Sequence, residues 1–268
     1  MFDRFAWAPW CATTLLLASA LLAGCGTSPK DDPNSQAGLD KLYAEAKDDL
    51  SVGSYEPAIK KLERIEGRAA GTLLGQQAML DMAWAQFRSG EKAQAITSLD
   101  RFLKLHPSSS GVEYAMYLKG LVNFNEDLGL FGRIAGQDVS ERDQQASRES
   151  LLAFRELVER YPSSRYAEEA RVRIDFITNN LARHEVHVAR YYLNRGAFVA
   201  AQNRAQVALT DYPYAPAAEE ALEILLTAYE RLGLTDLAKD TRRVLQKNYP
   251  ANALVAGVPA AKPWWKLW

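Results

Sequence analysis

Apolar residues fall at helical spacing along most of this 268-residue chain, and the places where that spacing fails divide it into parts. Residues 10–23 form one short, nearly unbroken apolar run. Residues 26–38, GTSPKDDPNSQAG, carry no apolar period and are rich in Gly, Ser, Pro and charge, the composition of a flexible tether. From Leu39 the helical spacing resumes and continues to Pro250, and residues 251–268 leave it again. The Val/Ile/Thr alternation of strands is scarce, so the pattern predicts an all-α protein.

Within residues 39–250 the helical pattern is punctuated at fixed intervals. Gly53, Gly90, Gly196 and Gly233 are each followed five residues later by alanine: Ala58, Ala95, Ala201 and Ala238. Seventeen residues after the last three of these glycines stand Pro107, Pro213 and Pro250, each preceded by His106, Tyr212 or Tyr249, and Tyr161-Pro162 fits the same place in a further copy. Glycine suits a left-handed turn that ends one helix. Alanine one turn into the next helix lets its partner approach, and proline ends that second helix. Helix, turn, helix, stop is the unit, and the pattern resembles an α-α superhelix of about five tetratricopeptide repeats.

The first repeat runs from Leu39 to about Ala70, which stands where proline is expected, and Pro57 falls in the tolerated first turn of its second helix. The second covers residues 73–107, and the third, residues 111–162, holds an insertion between its helices at 123–147 whose centre, LGLFGRIAG, is apolar and glycine-rich. Between Pro162 and Gly196 lie 34 residues, against 20 between Pro213 and Gly233. The excess of 14 is close to four turns, which predicts one long helix over 165–194. Stacked repeats leave a concave surface suited to peptides or partner proteins.

The first 24 residues have the parts of a secretory signal: a head carrying Arg4, an apolar run too short for a bilayer span of about 20 residues, and small residues at a cut. Leu22-Ala23-Gly24-Cys25 resembles a bacterial lipobox, which implies an acylated Cys25 bearing a diacylglyceryl thioether and an N-acyl chain. At roughly 0.8 kcal/mol per buried CH₂, several chains anchor a protein durably. Cys11 lies inside the signal, so the mature chain of 244 residues would hold Cys25 alone and no internal disulfide. Gly26 after the cysteine, rather than Asp, favours the outer membrane by the same resemblance. A net charge of −1 gives no support for nucleic-acid binding, and an aromatic content of 10% argues against disorder over most of the chain.

Little in the sequence points to catalysis. His106 occupies the repeated position before proline, and His184-Glu185-Val186-His187 supplies two imidazoles without the third ligand a zinc site needs. Glu168-Glu169 and Glu219-Glu220 fall in first helical turns, where they complement the helix dipole. No nucleophile elbow, phosphate loop or dinucleotide fingerprint is present, so the expectation is a non-enzyme with no metal and no cofactor besides the lipid on Cys25.

Lipobox, repeats, the insertion in repeat three and the stretch HEVHVARYYLNRGAFVAAQNRAQVALTDYP (184–213) together resemble the BamD family, lipoproteins of the outer-membrane β-barrel assembly machine. The resemblance implies a periplasmic superhelix tethered to the inner leaflet of the outer membrane. Its C-terminal repeats would dock on a POTRA domain of the BamA barrel subunit, other Bam lipoproteins would join it, and its N-terminal repeats would receive unfolded barrel clients. Arg204, with Arg195 in the same segment, matches the family's contact with the barrel subunit; sequence alone makes Arg204 a solvent-facing helix charge. Replacing Arg204 with glutamate is expected to weaken that contact without unfolding the array. Repeat spacing places Tyr43, Lys47, Trp84, Phe87, Tyr114 and Tyr117 on first helices, in either the client groove or the core. The segment 67–77, GRAAGTLLGQQ, departs from the family's proline-aromatic pattern. The tail, with Lys262, Trp264, Trp265, Lys266 and Trp268, suits a membrane interface or the array's own groove. Rival readings are another periplasmic repeat lipoprotein, such as one coordinating cell-wall enzymes, and a lipid-anchored hydrolase, which would require a nucleophile-base pair or a three-ligand metal site.

Overall fold

The computed structural model describes residues 35–124 and 144–256, and these contain ten α-helices and no strand. In order they are α1 (Gln36–Ser51), α2 (Tyr55–Arg68), α3 (Leu73–Arg88), α4 (Lys92–Leu105) and α5 (Val112–Asn123). There follow α6 (Gln145–Arg160), α7 (Ala167–Asn194), α8 (Phe198–Asp211), α9 (Ala218–Leu232) and α10 (Thr235–Asn248). Each helix packs on the next in sequence, so the pairs α1–α2, α3–α4, α5–α6, α7–α8 and α9–α10 stack as five repeats. The signal segment, Cys25, the centre of the insertion and the tryptophan-rich tail lie outside the described residues.

The punctuation seen in the sequence has one structural cause at each copy. Gly53, Gly90, Gly196 and Gly233 take φ of 77°, 88°, 74° and 73°, the left-handed region that costs glycine nothing. The amide of the next residue then reaches the carbonyl five back, as in Glu91 N to Gln86 O (2.8 Å) and Leu234 N to Tyr229 O (2.9 Å). This reclaims carbonyls orphaned at the helix end. Ala58, Ala95, Ala201 and Ala238 are all buried where the paired helices meet.

The exit from each repeat is equally regular. Ser109, Ser164, Ala215 and Asn252 donate their amides to the carbonyls of His106, Tyr161, Tyr212 and Tyr249 at 3.0–3.1 Å. Thr72 does the same to Ala69 (3.0 Å), which puts Ala70 in the proline position and shows that the turn forms without proline. Gly71, at φ 78°, and Thr72, whose hydroxyl accepts the Gly75 amide (3.1 Å), complete that exit.

Three boundaries differ from the sequence reading. The fold begins at Gln36, before Leu39, because the Ser35 hydroxyl accepts the Gly38 amide (3.1 Å) and caps α1. The long helix starts at Ala167, since the exit turn consumes residues 161–167, and runs 28 residues. Asn123 ends α5 and residues 145–147 are helical, so the insertion between helices is shorter than 123–147, with residues 125–143 outside the described part.

The core forms three clusters, centred on repeat one with α3, on repeats two to four, and on repeats four and five. The last repeat terminates the stack. In the register set by Gly90 and Gly233, the residues Ile96, Leu99 and Leu103 that feed the central core correspond to Lys239, Arg242 and Gln246, all exposed. Arg242 pairs with Glu230 (2.5 Å), and Asn252 donates to Glu219 (2.8 Å) and to Glu223. A polar outer face of this kind stops further stacking.

Candidate functional site

The first site is built on Asp81, a buried carboxylate in an otherwise apolar stretch of α3. Buried carboxylates need partners, and Asp81 receives three. The Tyr43 hydroxyl donates to Oδ2 at 2.7 Å, Lys47 Nζ lies 3.4 Å from the same oxygen, and Gln77 Nε2 donates to Oδ1 at 3.1 Å. Tyr43 and Lys47, four apart on α1, thus reach across to α3 from one face. Burial, then the hydrogen bond to Asp81 and its charge, hold the Tyr43 phenol well above its ordinary pKa. Tyr114, on α5, is pushed up to about 12, first by burial and then by the charge of Asp81.

Around Asp81 and Tyr114 two clefts meet. The larger, about 570 Å³, runs between α3, the α4–α5 turn and the α6–α7 turn, with Leu73, Gln77, Glu113, Arg165 and Tyr166 on its walls. The smaller, about 330 Å³, is lined by Lys47, Leu50, Ser51 and Trp84 as well as by Asp81 and Tyr114. Trp84 is half-buried, edge-on to Tyr55 (5.9 Å) and under the Arg88 guanidinium (5.4 Å). The result is one groove with aromatic and apolar walls, both signs of charge, and no single dominant charge.

The structure separates the six groove candidates. Tyr43 and Lys47 hold Asp81, and Lys47, Trp84 and Tyr114 line the clefts. Phe87 packs against the central core and lines neither cleft, although it stands three residues from Trp84. Tyr117 is buried, stacked on Tyr166 at 4.7 Å and bonded to Glu169, so it supports the groove from beneath. Burial and the Glu169 contact push its phenol up to about 12.

The second site is centred on Glu185, in the middle of α7 and only 1% exposed. Arg204 Nη1 of α8 lies 3.0 Å from Oε2, and Arg148 Nη2 of α6 lies 3.1 Å from Oε1. Arg148 Nη1 also donates to the Tyr212 hydroxyl (3.1 Å). Arg204 is therefore a half-exposed cation neutralising a buried anion, not a free surface charge. Its charge reversal would set two carboxylates against each other, so Arg204→Glu is expected to act on the fold as well as on any contact. Arg195 caps the end of α7, exposed, with its guanidinium 5.2 Å from the Tyr191 ring.

A family model described as YfiO, outer membrane lipoprotein, matches residues 35–245. The Outer membrane protein assembly factor BamD of Neisseria meningitidis serogroup A is 43% identical over 258 residues, covering 95% of this chain and 97% of that protein. The chain belongs to the BamD family. BamD of Neisseria gonorrhoeae is 42% identical over the same shares of the two chains, and that of Vibrio cholerae 35% identical over 87% of this chain and 96% of its own.

For this BamD-family chain, residues missed by sequence reasoning carry much of both sites. Asp81 had a visible signal, a lone acid in AMLDMAWAQF. Arg165 and Tyr166 sit in a turn and gave none. Glu185 was read only as part of a histidine pattern, and Arg148, 37 residues from it, was not singled out. His184 and His187 lie on α7, His106 packs its ring 5.4 Å from Phe102, and no three His, Cys, Asp or Glu side chains converge among the described residues. Among those residues no helix is long and apolar enough to cross a membrane.

Proposed function

We propose that this protein is a non-enzymatic scaffold and client receptor in the assembly of outer-membrane β-barrel proteins. The observation that carries this reading is family membership along nearly the whole chain, with relatives that are outer membrane protein assembly factors. Acylated Cys25 tethers the repeats to the periplasmic face of the outer membrane, and residues 26–38 give them reach. The N-terminal groove around Asp81, Tyr114 and Trp84 receives segments of unfolded barrel clients. Its mixed lining supports that assignment, since an open cleft with aromatic walls and charges of both signs accepts varied extended peptides.

The C-terminal repeats dock on a POTRA-bearing, BamA-type barrel subunit, and other Bam lipoproteins complete the assembly. Supporting this, the start of α8 and the end of α9 form a cleft of about 510 Å³ with Phe198, Val199 and Leu232 on its walls. Val199 is 58% exposed, an apolar side chain of the kind partner surfaces use. Arg204 stands on α8, and Arg195 closes α7 just before it.

Two measurements test the reading. The lipidated chain, gently solubilised from membranes, should carry the barrel subunit with it, and its absence would refute the docking. A client-derived C-terminal peptide should bind the chain, and Trp84→Ala should weaken it roughly 5- to 100-fold, the range for losing a buried aromatic anchor. Unchanged affinity would remove the groove from the reading.

A further inference from the structure

We propose that a cationic row on α10 and the segment 262–268 form a second membrane contact of this protein, one that takes an anionic phospholipid surface at the last repeat. The inference goes beyond partner docking and client binding, and rests on the reading of the chain as membrane-tethered only for which membrane it meets.

The last helix carries side chains that the end of a stack does not require. Ala238, Thr241 and Leu245 bury one side of α10. Lys239, Arg243 and Lys247, each four residues from the next, form an exposed row along the opposite side. A polar face is enough to stop stacking, yet this row is edged by Leu237, 46% exposed, and Val244, 41% exposed, which share a face two turns apart. Asp236 and Asp240 stand 3.9 and 3.0 Å from Lys239 and Arg243, but pairs this open to water offset little of the charge. Both acids lie in the first half of α10, whereas residues 241–268 hold Arg242, Arg243, Lys247, Lys262 and Lys266 and no Asp or Glu. Positive charge therefore gathers where the chain leaves the array.

The segment 262–268, KPWWKLW, sets Trp264, Trp265, Leu267 and Trp268 among two lysines. Tryptophan is favoured at the headgroup level of a membrane, where its ring is sheltered and its N–H stays wet, and lysine extends its charge toward the phosphates. A lipid surface satisfies both elements together. The cationic row is drawn to an anionic leaflet without needing a matching pocket, and the indoles supply the apolar depth that charge alone lacks. One membrane signal by itself binds reversibly, and stable attachment takes two. With Cys25 holding repeat one through residues 26–38, a contact at repeat five would hold the array by both ends.

The test uses the acyl-free mature chain, residues 25–268 with Cys25→Ser, which retains every described residue, and vesicles of phosphatidylcholine alone or mixed equally with phosphatidylglycerol. Three of the four tryptophans in that chain lie in 264–268 and the fourth is Trp84, so indole emission reports chiefly on the segment. Mixed vesicles should sediment the chain and shift its emission to the blue, and phosphatidylcholine alone should bind it about tenfold more weakly. Replacing Trp264, Trp265 and Trp268 together by Ser should weaken binding to mixed vesicles by about tenfold or more. Lys239→Gln, Arg243→Gln and Lys247→Gln together should do the same, at roughly fivefold per cation less the opposing effect of Asp236 and Asp240, while the melting temperature stays near wild type because all three side chains are exposed. Emission already blue in buffer and unmoved by vesicles would overturn the proposal in favour of a contact with the protein itself. Equal binding to both kinds of vesicle, or undiminished binding in either triple variant, would overturn it as well. Because neither acyl chain nor barrel subunit enters this measurement, its failure leaves the tethering reading standing, and a chain that binds vesicles here but carries no lipid on Cys25 in cells would sink the tethering reading alone.

Discussion

Gly120→Ala is a substitution for which helix propensity and packing predict opposite signs. Gly120 lies inside α5, where replacing glycine by alanine is worth about 1 kcal/mol of helix stability. The Cβ would stand 2.6 Å from Phe154 Cδ1 and 2.7 Å from Cζ, about 1 Å inside normal carbon contact. The ring has no free direction. Phe154 is fully buried, with Tyr117 at 6.0 Å and Phe124 at 6.3 Å, and the Ser150 hydroxyl donates to the Gly120 carbonyl at 2.8 Å, fixing α5 against α6. Overpacking costs about 1–3 kcal/mol, and a clash with a hemmed ring belongs toward the upper end. Net of the propensity gain, destabilisation of about 1–2 kcal/mol is expected, a fall in melting temperature of roughly 2–8 °C. Gly67→Ala is the control, at an exposed helical position with open space around the added carbon, and should raise the melting temperature by up to about 4 °C. Thermal and urea unfolding of the two variants beside wild type decide the matter. If Gly120→Ala stabilises as much as Gly67→Ala, the close approach of α5 to Phe154 of α6 is refuted.

Other outcomes follow from the buried polar groups. Arg204→Glu should destabilise by about 1–3 kcal/mol, because Arg148 still pairs with Glu185 while a like charge now faces it from a half-exposed position; a melting temperature within 2 °C of wild type, on a scale of roughly 2–4 °C per kcal/mol, would contradict this. Tyr43, Tyr114 and Tyr117 all have raised phenol pKa values, the last two to about 12. In the unfolded chain these tyrosines lose their protons first, so their stabilisation is intact below about pH 10 and falls as pH rises from there toward 12. Absorbance at about 295 nm should show them titrating late, and Tyr114→Phe together with Tyr117→Phe should flatten the alkaline loss of stability. Thr72→Ala should cost about 1 kcal/mol through loss of the α3 cap, read from urea unfolding.

The order of helices and the identity of the family were legible along the chain, whereas most of the chemistry of the two sites was not. The fold depends on local punctuation. A left-handed glycine, an alanine at the crossing and an exit turn are each determined by residues within a few positions, so spacing alone reveals them. The same locality let residues 165–194 be read as one helix to within two residues of its observed start at Ala167. Asp81 and Glu185 show where locality ends. Each is a helical acid whose meaning depends on residues 34–38 and 19–37 positions away, delivered by other helices. By pattern Trp84 and Phe87 were equivalent, and only the packing of α3 left Trp84 on both core and cleft while Phe87 meets the core alone. Sequence by itself determined that this is a stacked helical array of the BamD family, because repeat geometry is written in short-range steric rules. Tertiary structure alone decided that Arg204 is tied to a buried carboxylate and shares it with Arg148, because the cost of burying charge is settled only when distant helices close over it.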